Sequence, residues 1–134
     1  MTAYLLDTNA ASDAIKGNPA RVRERLVALP VRDVAISAVT QGELIYGLEK
    51  CGNPEALRRL IHEFLIRVEV LPWTADIANV YGSLRAACSQ RAVNLGALDM
   101  MIAAHAVAAD TVLVTRDQAF GLVEQRLKLE DWTR

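Results

Sequence analysis

The sequence predicts an α/β fold, a mainly parallel sheet with helices on both faces. Two observations lead there. Short apolar runs that end abruptly in polar residues alternate with amphipathic stretches along the whole 134-residue chain, and that alternation is the mark of a sheet covered by crossover helices. The runs at 4–6, 34–36 and 112–114 are also apolar throughout, as strands buried on both faces are.

Tyr4-Leu5-Leu6 is the first such run and stops at Asp7. Val34-Ala35-Ile36 is the second. Val68-Glu69-Val70-Leu71 is a third, closed by Pro72, which cannot extend a ladder. Val112-Leu113-Val114 is a fourth, followed by Thr115-Arg116-Asp117, and Leu127-Lys128-Leu129 is a last, shorter candidate. Between them, apolar residues at spacings of three and four predict helices over Ala10–Lys16, Ala20–Leu29, Val39–Lys50, Pro54–Arg67, Ala75–Ala92 and Ala97–Ala109. Pro and Gly fall singly at the boundaries, and no repeat, linker or low-complexity stretch intervenes, so a single domain over residues 1–134 is expected.

Composition narrows the function classes. With 52% apolar residues the chain can bury a sizeable core. No window approaches the roughly 20 unbroken apolar residues of a membrane span, and the first residues lack a signal-peptide pattern, so a soluble, cytoplasmic protein without membrane association is expected. Cys51 and Cys88 lie far apart with no CxxC and no His at ligand spacing, which argues against zinc and against a disulfide framework; both read as structural thiols. A formal charge of −1 and a pI near 6.1 give no global basic signature of nucleic-acid binding, so any attraction to RNA has to come from local patches. Arginine supplies nearly all the positive charge, lysine only Lys16, Lys50 and Lys128, and arginine suits bidentate contacts to phosphate or carboxylate. The groups Arg21, Arg23, Arg25 and Arg58, Arg59 are equally explained as solvated helix faces.

In doubly wound sheets the binding crevice lies beyond the carboxyl ends of the strands. Asp7 ends the first strand and Asp117 follows the fourth, so both face that edge. Glu43 comes shortly after the second strand, on the first turn of a helix, and Asp99 opens the helix before the fourth strand. Four carboxylates crowded together repel one another and take up protons unless a divalent cation stabilises their ionised forms. Mg²⁺, with Mn²⁺ as a substitute, accepts such hard oxygen ligands while keeping several waters. It can then acidify a water, orient it for in-line attack on a phosphodiester and stabilise the developing charge. Each acid also has a plain structural explanation. Asp99 and Asp117 could cap helices, and Thr40-Gln41-Gly42-Glu43 matches the S/T-x-x-E capping box. Asp7 is the hardest to explain that way, since it interrupts an apolar run and leads straight into Thr8 and Asn9.

Four segments in order and register carry a resemblance: Leu5-Leu6-Asp7-Thr8-Asn9, the stretch from Ile36 to Gly47, Asp99 to Ala106, and Val114 to Phe120. Together they resemble the motifs of PIN-domain ribonucleases of the VapC toxin type, and the likeness runs from residue 4 to the closing Trp132. The resemblance implies a PIN-like three-layer α/β/α sandwich around a central, mainly parallel five-stranded sheet. It makes Asp7, Glu43, Asp99 and Asp117 the catalytic, metal-binding quartet of a Mg²⁺-dependent endoribonuclease, with Asn9 and Thr115 as supporting polar residues. It further implies homodimerisation and a cognate VapB-type antitoxin that blocks the site. Arg21 to Arg25, Tyr46-Gly47 and Glu130-Asp131-Trp132 look nearest to members that cut initiator tRNA. One departure is Gly96-Ala97-Leu98-Asp99 where Gly-Pro-x-Asp is common, so proline's fixed φ is lost while the acid is kept.

Arg85 has a basic counterpart in many relatives and, with Arg116, is a candidate to touch RNA phosphate or pair with an acid. His105 reads as a satisfied core histidine, His62 as exposed, Met100 and Met101 as packing, and Trp73 and Trp132 as core or interface residues rather than base-stacking platforms. A phosphoacceptor signalling domain would need an acidic pair after the first strand and an Asp ending the middle one. Asp7 has no acidic neighbour, and the third run ends in Pro72-Trp73, which disfavours it. The alternative within the same fold is a catalytically silent PIN-type module that binds RNA or protein without cutting.

Overall fold

The computed structural model describes residues 2–123 and 126–134. Its strands are β1 (Tyr4–Leu6), β2 (Val34–Ser37), β3 (Glu69–Leu71), β4 (Val112–Val114) and β5 (Lys128–Glu130). They form one five-stranded sheet in the order β3-β2-β1-β4-β5, and every neighbouring pair is parallel. The helices are α1 (Thr8–Lys16), α2 (Ala20–Ala28), α3 (Ala38–Lys50), α4 (Glu55–Leu65), α5 (Ala75–Gln90) and α6 (Ala97–Ala108). Short 3-10 helices cover Val31–Asp33 and Gln118–Leu122.

The alternating side-chain direction of a strand divides the core into two layers. Leu6, Ile36 and Val114 pack against α1, α2, α3 and α4, with Trp132 closing that side. Leu5, Ala35 and Leu113 face α5, α6 and the second 3-10 helix. Leu6 stands in register between Ile36 and Val114, so the strand ends that carry Asp7, Ser37 and Thr115 lie side by side. The chain runs outward from β1 to β3 and then returns to the other side of β1 for β4. The switch point is therefore the β1/β4 crevice, where a ligand site is expected.

The all-parallel sheet is the fold the sequence leads to, with elements displaced by one or two residues. β5 is one residue later than the run at 127–129. α1 starts at Thr8, two residues early, because the Asp7 carboxylate accepts a hydrogen bond from the Ala10 amide at 2.8 Å and caps the helix. At its other end Gly17 takes φ +68°, and a side chain there would meet the Arg23 guanidinium at 2.7 Å. That guanidinium donates to the terminal carbonyls of Ala14 and Ile15, so Arg23 closes α1 and Gly17 leaves room for it.

Cys88 is buried, whereas Cys51 is exposed at the end of α3, which corrects the reading of both as structural thiols. Among the described residues no helix is long and apolar enough to cross a membrane.

Candidate functional site

Asp7 is 2% exposed at the end of β1. Its amide donates to the Val114 carbonyl at 3.0 Å, which locks it across the β1/β4 crevice. Beside it Thr115, 4% exposed, shares a side-chain hydrogen bond with Asp7 and accepts one from the Asp117 amide at 3.0 Å. One buried hydroxyl therefore sets the relative position of two acids. Asp117 in turn accepts from Ala119 at 2.9 Å and caps the second 3-10 helix, so the capping explanation holds for it as well.

Glu43 requires two corrections. α3 begins at Ala38, capped by Ser37, whose hydroxyl accepts from the Val39 amide at 3.2 Å. Glu43 is thus on the second turn rather than the first, and Thr40 is inside the helix, so the capping box suggested by Thr40-Gln41-Gly42-Glu43 is not formed. Released from that role, the Glu43 carboxylate accepts a 2.6 Å hydrogen bond from Thr8, whose hydroxyl also lies 3.3 Å from that of fully buried Thr40. Asp99 is in the first turn of α6, whose cap is Gly96 without a side-chain bond. Asp99 is therefore not an N-cap, and the structural explanation for it fails.

The electrostatics show these acids sharing one region. Burial pushes the Asp7 carboxyl up from 3.8 to about 6, against hydrogen bonds from Thr115 and Ala10, with Asp99 and Asp117 adding to the rise. Burial also raises Asp99, helped by Glu43 and Asp117. Among the described residues no cation is one of the groups acting on either carboxyl. Like charges held together without a basic partner form an environment that a divalent cation relieves. Among the described residues no three Asp, Glu, His or Cys side chains close into a preformed cage. An open set of carboxylates suits a hard divalent cation that takes one or two of them and retains its waters.

The other candidates fall on either side of this centre. Asn9 is exposed on the first turn of α1. Arg116 is half exposed and its Nε lies 3.2 Å from Asp13 Oδ2 on α1, an acid outside the quartet. Arg85 is exposed on α5 and donates to the Tyr81 hydroxyl at 2.7 Å; its contact is that ring rather than an acid of the site. An open groove of about 330 Å³ runs from Thr115, Arg116 and Asp117 to Glu130 and Asp131. Trp132 is buried against Tyr4 and beneath Arg25, and Trp73 donates to the Met101 carbonyl at 3.2 Å, so both indoles are structural. His62 is exposed.

Thr8, Thr40 and Asp13 were missed by sequence reasoning. Asp13 was legible: it stands three residues after Ala10 and so on the buried face of α1. Thr40 was masked by its match to a capping box.

The PIN domain family model matches residues 4–125. The chain belongs to the PIN-domain family. A relative from Shigella flexneri, the tRNA(fMet)-specific endonuclease VapC, is 38% identical over 99% of this chain and 100% of its own length. The ribonuclease VapC2 of Rickettsia felis is 33% identical over 98% of each. Among solved structures, VapBC2 from Rickettsia felis, bound to a DNA fragment from their promoter, superimposes with a TM-score of 0.90 at 32% identity, over 98% of this chain and 99% of that one. The likeness spans the whole PIN fold, so this chain belongs with the VapC branch of the family. PIN-domain ribonucleases are in general dependent on a divalent metal, and the acidic edge of this PIN domain has the donors for one.

Proposed function

We propose that this chain, read as one PIN domain, is the toxin of a type II toxin–antitoxin pair, a Mg²⁺-dependent endoribonuclease. The observation that carries the reading is the gathering of acids at the β1/β4 switch point: Asp7 ends β1, Thr115 ties it to the Asp117 backbone after β4, Asp99 and Asp117 act on the Asp7 carboxyl, and Glu43 and Asp117 act on Asp99. Asp7, Asp99 and Asp117 are the proposed metal ligands, and Glu43 completes the set from α3. Mn²⁺ offers the same coordination and should substitute. A divalent ion bound there supplies Lewis-acid stabilisation of phosphoryl oxygens and a more acidic water for in-line attack.

The chain's own residues prepare that chemistry. Burial favours the protonated forms of Asp7 and Asp99, and a divalent ion held there would favour their carboxylate forms instead. Thr115 holds Asp7 and the Asp117 backbone together, and Thr8 fixes one Glu43 oxygen while leaving the other free. Asn9, Arg85 and Arg116 are the proposed contacts to RNA phosphates; Arg116 is the best placed, at the rim of the groove beside Asp117.

The substrate class is RNA, with tRNA first and initiator tRNA the leading candidate, by analogy with the relative from Shigella flexneri. A homodimer, a VapB-type antitoxin covering the acidic edge and a cytoplasmic location follow from the same reading. An arginine supplied by the antitoxin would satisfy the crowded carboxylates much as a metal does.

The test is incubation of purified, antitoxin-free protein with total tRNA in Mg²⁺, in EDTA, and as Asp99→Asn, with the cut ends mapped. Discrete Mg²⁺-dependent products carrying 5′-phosphates, absent from the other two reactions, are expected. Binding of tRNA without cleavage under any metal would instead favour the silent module.

A further inference from the structure

Glu43 and Asp99 act on one another electrostatically, yet their helices are anchored in opposite layers of the sandwich. α3 sets Leu44 and Leu48 into the core shared with α1 and α4. α6 sets Met100, Ile102, Ala103 and Ala106 into the other core, with α5 and the second 3-10 helix. The two helices meet at the sheet edge, where Val39 at the start of α3 packs against the α6 layer, so the separation of the two acids depends on how that junction is held.

A buried hydrogen bond crosses there. His105 Nδ1 on α6 lies 2.8 Å from Ser37 Oγ, and the two residues are 2% and 0% exposed. Ser37 Oγ also accepts from the Val39 amide as the cap of α3. The bond to His105 can form in either direction: the serine hydroxyl donates to Nδ1 of a ring protonated at Nε2, or Oγ accepts a second bond from Nδ1–H of the other tautomer. One serine hydroxyl thus starts α3 and binds α6 at the same time.

We infer that His105, through Ser37, is a positioning residue for the metal site: the pair holds the start of α3 against α6 and so fixes Glu43 relative to Asp99. His105 touches neither substrate nor metal in this role. The inference rests on the metal-dependent ribonuclease reading.

The test compares wild type with His105→Leu, which keeps bulk and removes the bond to Ser37, His105→Asn, whose side-chain amide offers an acceptor and a donor in place of Nδ1, and Ser37→Ala. The measurements are RNA cleavage as a function of Mg²⁺, thermal unfolding, and Mn²⁺ binding by calorimetry without RNA. Loss of a group that orients metal ligands costs about tenfold or more in metal affinity or activity. His105→Leu should therefore weaken Mn²⁺ binding and raise the Mg²⁺ needed for half activity by about tenfold, with the KM for RNA unchanged. His105→Asn should recover most of both. Ser37→Ala, which also removes the cap of α3, should be at least as impaired as His105→Leu, and the double variant should be no worse than Ser37→Ala alone, because the His105 substitution then removes no further interaction.

Unchanged Mn²⁺ affinity in His105→Leu, or equal loss in the Leu and Asn variants accompanied by lowered thermal stability, would overturn the inference and leave His105 as a packing residue. Should His105→Leu not fold, His105→Met, which leaves the Ser37 cap of α3 in place, is judged by the same Mn²⁺ criterion. A wild type that binds no Mn²⁺ and cleaves no RNA would instead be the failure of the metal-site reading.

Discussion

Replacing Asp7 by Asn should make the metal-free protein more stable while removing its activity. Asp7 has its carboxyl raised from 3.8 to about 6, chiefly by burial. Below the unfolded value both states hold the proton and the group contributes nothing. As pH rises from there to about 6 the unfolded chain releases its proton while the native chain keeps it, so native stability falls across this window. A shift of about two units at about 1.4 kcal/mol each makes the loss about 3 kcal/mol above pH 6. Asn carries no charge and caps helices as well as Asp does, so the bond from Ala10 survives. Its buried amide N–H groups lack assured acceptors, at a cost of about 1 kcal/mol. The net gain is about 2 kcal/mol, or a Tm about 7 °C higher at an unfolding entropy of about 2.1 cal/mol/K per residue. Thermal denaturation in EDTA at pH 8 and pH 4 reads this directly. Asp7→Asn should be the more stable protein at pH 8 and show little advantage at pH 4, and saturating Mg²⁺ should stabilise wild type alone. An Asp7→Asn protein less stable than wild type at pH 8, or an equal gap at both pH values, would refute the reasoning.

Thr8→Val should lower kcat about tenfold, since Glu43 loses the donor that orients it, with little change in Tm; steady-state cleavage and calorimetry separate the two. Because protons compete with the cation at Asp7, the Mg²⁺ concentration giving half activity should be about tenfold higher at pH 5 than at pH 7, and excess Mg²⁺ should restore the rate. A rate loss at pH 5 that Mg²⁺ cannot reverse would place the titration elsewhere. Ala97→Pro should raise stability by about 0.5 kcal/mol with activity intact, because proline at a compatible position restricts the unfolded chain. The position is compatible: Ala97 is the first residue of α6, and the Gly96 backbone before it has φ −57° and ψ 151°. Proline is favoured at a first helical position, and an extended residue suits it as a predecessor. A Tm measurement and a cleavage assay check both parts.

Local pattern made most of the fold legible. The three central strands were found because each is a continuous apolar run that ends in a polar residue, as Leu5-Leu6-Asp7 and Leu113-Val114-Thr115 do, whereas β3 and β5 at the edges carry Glu69 and Lys128 within shorter apolar patterns. Their boundaries slipped where a cap decided the matter: Asp7 and Ser37 begin α1 and α3 earlier than the apolar periodicity suggests. The acidic residues could be proposed from strand order, since a parallel sheet gathers its strand ends on one edge. Their supports could not. Thr8 with Glu43, and Ser37 with His105, are contacts between residues 35 and 68 positions apart, and such pairings depend on packing that no local spacing encodes. The same holds for Arg116, whose ion-pair partner on α1 is Asp13 rather than an acid of the quartet.

The central claim is that the acids at the β1/β4 switch point hold the metal on which cleavage depends. Anomalous diffraction from crystals of the antitoxin-free protein soaked in Mn²⁺ tests it most directly. A peak within coordination distance of Asp7, Asp99 or Asp117, lost in crystals of Asp99→Asn, is the predicted result. A protein that cleaves RNA in Mn²⁺ yet shows its peak elsewhere, or keeps it unchanged in Asp99→Asn, would contradict the account.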